Sequence, residues 1–158
     1  MSALASQPPT LPALRTDTAA AAQAVLANRA YAALLTSGTA VTTSQYVAAL
    51  GERGIGSEAA RARIKRDRAR GHFITLSHEG ESIIPTFQLR EDFDHSPAAA
   101  DVVAVLLGAG YGPWDIWDWV EAPNPWIGRR RPADAIRADD AGVVGRALDA
   151  LVGEGPEA

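Results

Sequence analysis

The chain has 158 residues, of which 47% are hydrophobic and none is cysteine, and its formal net charge is −4 at pH 7. This length predicts one domain or two very small ones, and the missing cysteines exclude disulfides and cysteine-based zinc sites and favour a cytoplasmic location. No run of 18 apolar residues and no secretory signal pattern is present, so we expect no membrane segment.

The first part of the chain predicts an arm followed by three helices. Residues 1–16 hold three prolines and no amphipathic period, which indicates a disordered arm. Amphipathic periodicity predicts a helix over 17–36. A second helix is predicted to begin near Thr43 or Ser44, either of which can cap it. A third is predicted over 57–70, with its opening serine as the N-cap.

The hydrophobic period then changes from helical to extended. Aromatic and β-branched runs at 72–77 and 82–87 flank a short turn that contains glycine, a pattern typical of a β-hairpin. Pro85 restricts the second strand to a sheet edge or a strand end.

Helices are predicted again after a polar connection. The expected ranges are 98–107 and 113–121, then a short helix that begins at Pro132 and a last helix over about 139–152. The sequence therefore predicts a mainly α fold: a small helix-turn-helix-like module with a short β-hairpin, followed by a helical C-terminal domain. The expected division is the arm at 1–16, the helix-turn-helix-like module with the hairpin at 17–90, and the helical C-terminal domain at 91–158.

Residues 43–89 resemble a helix-turn-helix with a small wing, as in excisionase-like and MerR-like DNA-binding domains. The third helix carries six basic residues, and only Ala60 and Ile64 are available to pack it. Guanidinium groups can grip phosphates and read guanine edges in the major groove. The turn at 51–57 is longer than usual and contains three glycines, so the sequence leaves the angle between the two helices open. The candidate DNA-contacting residues are Ser44, Gln45, Arg61, Arg63, Lys65, Arg66, Arg68 and Arg70.

The charge distribution agrees with two different partners. Residues 1–90 carry ten Arg/Lys and six Asp/Glu, whereas residues 91–158 carry five and thirteen. A basic half suits a polyanion and an acidic half suits a cationic surface, although a solvated basic helix with no nucleic-acid role is the alternative interpretation. Fourteen of the fifteen basic residues are arginine, a bias that suggests a GC-rich bacterial genome.

All four tryptophans fall within residues 114–126, and they lead into a run of prolines and arginines. The order W-x-x-x-P-N-P-W-I-G-x-R-R-P-A-D, from Trp119 to Asp134, resembles the C-terminal toxin-binding domain of Xre/MbcA/ParS-type antitoxins. The segment 85–88, Pro-Thr-Phe-Gln, is similar to an element that precedes this domain in relatives with a helix-turn-helix. The resemblance implies a RES-domain toxin as partner, a fold that the family links to NAD consumption.

The prolines, the asparagine and the tryptophans in this region also have structural roles that follow from their chemistry. Prolines 123 and 125 restrict the backbone around Asn124, which can shape a turn. Trp117 and Ile116 are expected in the core, whereas Trp114 and Trp126 are expected to be partly exposed, as aromatic binding residues often are. The candidate toxin-binding residues are Trp114, Trp119, Pro123, Asn124, Pro125, Trp126, Gly128, Arg130, Arg131, Pro132, Asp134 and Arg146.

Two further expectations concern the helices on either side of this turn. Asp115, Asp118 and Glu121 are expected to form a solvated acidic face. The last helix and the tail after it are expected to reach the active-site cleft of the toxin. Deletion from Ala138 onward would then abolish neutralisation and leave the N-terminal half folded.

No motif for catalysis, a cofactor or a metal ion is present, so we do not expect an enzyme. The three histidines, His72, His78 and His95, are too few for a zinc site. Two functions are consistent with the sequence. One is a type II antitoxin that neutralises a RES-domain toxin and autoregulates its operon by binding promoter DNA. The other is a stand-alone DNA-binding regulator whose C-terminal half only dimerises, and a homodimer is expected in either case.

Overall fold

The structure is a computed structural model that describes residues 19–26, 29, 32–33 and 36–153. The chain forms two compact units, Met1–Ser37 and Gly38–Ala158. In the first unit, the described residues from 19 to 37 are helical and exposed, which confirms the predicted helix where it can be seen. The predicted arm at 1–16 lies outside the described residues.

The second unit begins with a strand that the sequence did not predict. Strand β1 is Ala40–Thr42, and two more strands, β2 at Leu76–His78 and β3 at Glu81–Pro85, complete an antiparallel sheet of order β1-β3-β2. The predicted hairpin is therefore present, but its strands are shorter than 72–77 and 82–87. Pro85 ends its strand as predicted, although that strand is central, paired to β1 through Ala40.

Two helices pack against this sheet. Helix α1, Thr43–Glu52, is capped by Thr42 rather than by Thr43 or Ser44, because Gln45 N donates to Thr42 Oγ1 at 3.0 Å and Thr42 N donates to Gln45 Oε1 at 2.9 Å. This reciprocal pair is a capping box. Helix α2, Ser57–Ala69, begins after Gly56, so the predicted Ser57 cap is wrong by one residue.

Four helices follow, close to their predicted ranges. They are α3 at Pro97–Gly108, α4 at Pro113–Glu121, α5 at Pro132–Arg137 and α6 at Ala141–Gly153. The fold is mainly α with a small antiparallel sheet, as predicted. Among the described residues, no helix is both long and apolar enough to cross a membrane.

The core has two clusters that share the segment around the sheet. Phe73 joins the cluster of α1 and α2, whereas the next residue, Ile74, joins the cluster built by α3 to α6. Adjacent residues of an extended chain point to opposite faces, which is why one segment can serve both clusters. The buried residues of α2 are Ala60 and Ile64, as predicted.

Gln88 stabilises the backbone at this shared segment. Its side chain is 1% exposed, accepts a hydrogen bond from Ile74 N at 2.7 Å, and donates to Ile74 O at 2.9 Å and to Pro85 O at 3.3 Å. Because buried backbone groups must be paired, the glutamine of the Pro-Thr-Phe-Gln element has a structural role here.

We predict that Gln88→Ala lowers the free energy of unfolding by about 2–4 kcal/mol, because it leaves two buried backbone groups unpaired and opens a cavity. Denaturant unfolding followed by circular dichroism measures the loss. Gln23→Ala, at an exposed helical residue, is the control, with an expected change within about 0.5 kcal/mol. Equal losses in the two variants would contradict the role given to Gln88.

Candidate nucleic-acid interface and partner-binding turn

An open groove with a volume of 560 Å³ lies between helix α2 and the sheet. Arg61, Lys65 and Arg68 line it from the helix, at a spacing that places them on one helix face. All three side chains are exposed, and none of them forms an ion pair with another described residue. On the opposite wall, Thr43 Oγ1 donates to Ser82 O at 3.2 Å, which ties the start of α1 to β3. The groove is therefore a fixed surface with three available positive charges.

The other basic residues predicted on this helix lie elsewhere. Arg63 Nη1 is 3.1 Å from Asp94 Oδ1, and Arg66 Nε is 3.0 Å from Asp67 Oδ1. The pKa of Asp94 is lowered, mainly by the hydrogen bond from Arg53 and to a smaller extent by Arg63. At Asp67, burial is the largest single influence and raises the pKa, but Arg66 and His95 together outweigh it and lower the pKa. Arg70 is exposed at the end of the helix. The structure thus divides the predicted basic set into a groove-lining group and an ion-paired group.

The two predicted residues on α1 also differ in their surroundings. Ser44 is exposed in the first turn. Gln45 is exposed as well, but its side chain belongs to the capping box described above.

A network that the sequence did not predict lies behind α2. His95 Nδ1 is 2.6 Å from Asp67 Oδ2, His95 Nε2 is 2.8 Å from the Tyr46 hydroxyl, and the ring stacks on Phe73 with centroids 4.2 Å apart. A carboxylate can only accept, so Nδ1 carries the proton and Nε2 accepts from the hydroxyl. Burial lowers the pKa of His95, outweighing the opposite effect of Asp67, and burial raises the pKa of Tyr46.

This network predicts a loss of stability in mild acid. Because the pKa of His95 lies below 6.5 in the folded state, the unfolded chain takes up its proton first as the pH falls. The stabilising contribution is complete above pH 6.5 and is lost below it. We therefore expect the free energy of unfolding to fall as the pH is lowered below about 6.5.

Denaturant unfolding of the wild type and of His95→Gln across this range tests the expectation. Burial raises the pKa of Glu121, so titration of Glu121 increases the free energy of unfolding as the pH falls. This contribution is the same in the wild type and in His95→Gln, so it does not affect the comparison. The variant should show the flatter profile because it has no titrating group at this position. Parallel profiles would show that His95 does not control this pH dependence.

The Pro-Asn-Pro segment forms a closed turn around a buried asparagine. Asn124, 7% exposed, accepts at Oδ1 from Trp126 N at 2.9 Å, and its backbone pairs with Arg130 O and Arg129 N, each at 2.9 Å. Gly128 and Arg129 both adopt left-handed backbone, with φ of +69° and +67°. Glycine suits that conformation, whereas an arginine there is strained by about 1–2 kcal/mol. The turn is therefore held in one shape.

This turn presents Trp126 to solvent. Its side chain is 58% exposed, as expected from the sequence. It borders a groove of 210 Å³, whose other lining residues are Trp119, Ala122, Pro123, Asn124, Pro125, Ala147 and Leu151. Four of the predicted toxin-binding residues therefore lie together with Trp126 on one surface.

The tryptophans of α4 differ in part from expectation. Ile116 is fully buried, as predicted, and Trp114 is partly exposed, also as predicted. Trp117 is only partly buried, so its placement in the core is wrong. Successive helical residues point about 100° apart, and with Ile116 at the centre of the buried face Trp117 lies to one side of it. Trp117 packs edge-on against Trp114, with ring centroids 6.0 Å apart.

The arginines after the turn are largely engaged within the protein. Arg130 pairs with Asp140 at 3.3 Å. Arg131 makes a two-pronged contact with Asp134, at 3.0 and 3.1 Å, and reaches Glu121 at 3.1 Å. The predicted contacts Arg130, Arg131 and Asp134 therefore build the turn itself. Pro132 is buried at the start of α5.

The predicted acidic face of α4 is only partly correct. The Glu121 side chain is 10% exposed and faces arginines, so it is not solvated. Asp115 caps its own helix by accepting from Gly112 N at 3.0 Å. Asp118 alone is exposed and without a described polar contact.

Helix α6, which the sequence predicts to reach the toxin, packs one of its faces into the core. Val144 is 6% exposed and belongs to the core cluster with α3 and α5, Ala147 is fully buried, and Arg146 is exposed. One face of the helix is therefore needed for folding. Deletion from Ala138 onward would remove part of the core, so it cannot serve as a clean test of toxin binding.

Comparison with known proteins adds a likeness of fold. No protein-family model and no curated protein matches the chain. Among solved structures, the NMR structure of Rv2175c is similar, with a TM-score of 0.55 and 20% identity over 70% of this chain and 80% of that chain. At this identity the likeness establishes a similar fold. Membership of the Xre/MbcA/ParS-type antitoxins stays a prediction.

Proposed function

We propose that this protein binds duplex DNA through α2 and the β2–β3 hairpin and acts as a transcription regulator in the cytoplasm. The observation that carries this proposal is the groove with three basic side chains, Arg61, Lys65 and Arg68, that form no ion pair with any other described residue. The seven-residue step from Arg61 to Arg68 spans roughly 10 Å along the helix. That is about three phosphates of one strand at roughly 3.4 Å along the DNA axis. The hairpin beside the helix supplies the wing.

The test removes two groove charges and compares them with two charges elsewhere. Arg61→Gln/Arg68→Gln should weaken binding to the protein's own upstream duplex and lower the log–log salt slope by about two units, since each phosphate contact contributes roughly 0.9. The control is Arg129→Gln/Arg146→Gln, which removes the same charge from exposed arginines far along the chain. The sequence-based choice of Arg63 and Arg66 is less suitable, because both make internal ion pairs.

Fluorescence anisotropy over a salt series measures both affinity and slope. No binding by the wild type at low salt, or equal losses in the two double variants, would contradict the proposed interface.

For the C-terminal half we propose the antitoxin role that the Trp119–Asp134 motif implies. Trp126 is exposed on a turn that needs little ordering on binding, and such preorganised aromatic residues are typical of binding hot spots. The partner would be a RES-domain toxin, and DNA binding would autoregulate the shared operon. The acidic charge of this half suits a cationic pocket.

The alternative is a regulator whose C-terminal half only forms a homodimer. The same exposed Trp126 supports it, because a two-fold interface uses one patch twice. An adjacent gene for a RES-domain protein would favour the antitoxin. Light scattering measures the mass of the free protein and so distinguishes a homodimer from a monomer.

We predict that Trp126→Ala loses neutralisation when co-expressed with that toxin, with binding weakened at least about thirtyfold, as for a hot-spot residue worth about 2 kcal/mol. Val105→Ala is the control, since Val105 is 43% exposed on α3. Growth rescue and co-purification are the measurements. Full rescue by Trp126→Ala would exclude this turn as the toxin site, and loss of self-association alone would favour the dimer.

A further inference from the structure

The connection between α1 and α2 has little to hold the helices at one angle. It contains Gly54, with φ of +84°, and Gly56, which caps α2 without a side chain. Its hydrogen bonds, such as Ile55 N to Leu50 O at 3.0 Å, are local to the end of α1. Glycine is the residue with the most backbone freedom, so this turn by itself sets the angle weakly.

A second segment, Asp92–His95, spans both helices from outside the turn. Arg53, just after α1, donates from Nη1 to Asp92 O at 2.8 Å and to Asp94 Oδ1 at 3.0 Å. Arg63, in the middle of α2, donates to the same Asp94 oxygen at 3.1 Å. One carboxylate therefore joins the two helices. We refer to Asp92–His95 as the clamp segment.

The next residue of the clamp segment repeats this connection deeper in the protein. His95 bonds to Asp67 on α2 and to Tyr46 on α1, at 2.6 and 2.8 Å. Arg63 and Asp67 are one helical turn apart, so the clamp segment holds α2 at two successive turns.

The clamp segment is itself well fixed. Asp94 N donates to Asp92 Oδ1 at 3.0 Å, Arg90 N donates to Asp94 O at 2.8 Å, and Ser96 N donates to Gln88 O at 2.8 Å. Phe93 adopts a left-handed φ of +66° within it. A non-glycine residue in this region persists only where its surroundings hold it.

We propose that Asp94 and His95 are positioning residues for DNA binding, which hold α2 at the angle to α1 that presents Arg61, Lys65 and Arg68 to the duplex. This inference rests on the proposed DNA-binding function. Arg63 and Asp67 lie on a different side of α2 from the groove residues, as their helical spacing requires. The clamp segment therefore acts through the helix, without contact to DNA.

Positioning and simple electrostatics predict opposite results at Asp94. Loss of its carboxylate removes a negative charge near the interface and frees Arg53 and Arg63, so electrostatics alone predicts tighter DNA binding. If the carboxylate positions α2, its loss weakens binding despite the gain in positive charge. The sign of the change therefore distinguishes the two.

The experiment compares Asp94→Ala with Asp101→Ala, which removes the same charge from an exposed residue of α3. Asp94→Asn, which keeps an acceptor oxygen, is the conservative variant. Anisotropy with the upstream duplex should show about tenfold weaker binding by Asp94→Ala, the size expected for losing one charge-assisted contact. Asp94→Asn should recover part of that loss, and Asp101→Ala should bind as well as the wild type or slightly better.

Hydrogen exchange of the α2 amides in the free protein supplies a readout that does not need DNA. Asp94→Ala should exchange faster over residues 57–69 than Asp101→Ala. If wild type fails to bind duplex DNA, the DNA-binding function is wrong, and exchange alone then decides whether the clamp segment holds α2. Unchanged exchange, or DNA binding by Asp94→Ala as tight as wild type, would overturn the positioning role. Should Asp94→Ala not fold, Asp94→Asn carries the same comparison.

Discussion

The side-chain amide of Gln88 forms hydrogen bonds with both the N–H and the C=O of Ile74, and the rest of the fold depends on that pairing. It fixes the segment in which Phe73 faces the α1–α2 cluster and Ile74 faces the cluster of the later helices. A backbone N–H and C=O left unpaired in that position would each carry a desolvation penalty of about 1–3 kcal/mol. The α1–α2 cluster beside the groove and the cluster of the later helices therefore meet at one shared element.

Internal ion pairing decides which charges remain for partners. Of the basic residues on α2, Arg63 and Arg66 are held by aspartates, whereas Arg61, Lys65 and Arg68 face solvent in the groove. Exposed ion pairs of this kind are worth little to stability individually. Their consequence is geometric, because they fix the guanidinium groups of Arg63 and Arg66 against the protein. The basic groups in the groove remain available to bind a partner.

The same division explains the region after the Pro-Asn-Pro turn. The motif that resembles a toxin-binding surface uses Asn124, Arg131 and Asp134 to hold its own shape, and it leaves Trp126 outermost. A motif therefore identifies a surface without separating the residues that build it from the residues that contact a partner. Hydrogen bonds and burial make that separation.

The sequence by itself determined the helices and their boundaries to within a few residues, because the signals are local. Apolar periodicity, the proline at 132 and the short-range turn around Asn124 act within a few positions of the chain. Tertiary structure alone decided the third strand, the burial of Glu121 and the pairing of His95 with Asp67. These features join residues that are far apart in sequence, such as the 28 positions between Asp67 and His95. No periodicity or spacing encodes such a pairing, since it exists only once the two segments pack against each other.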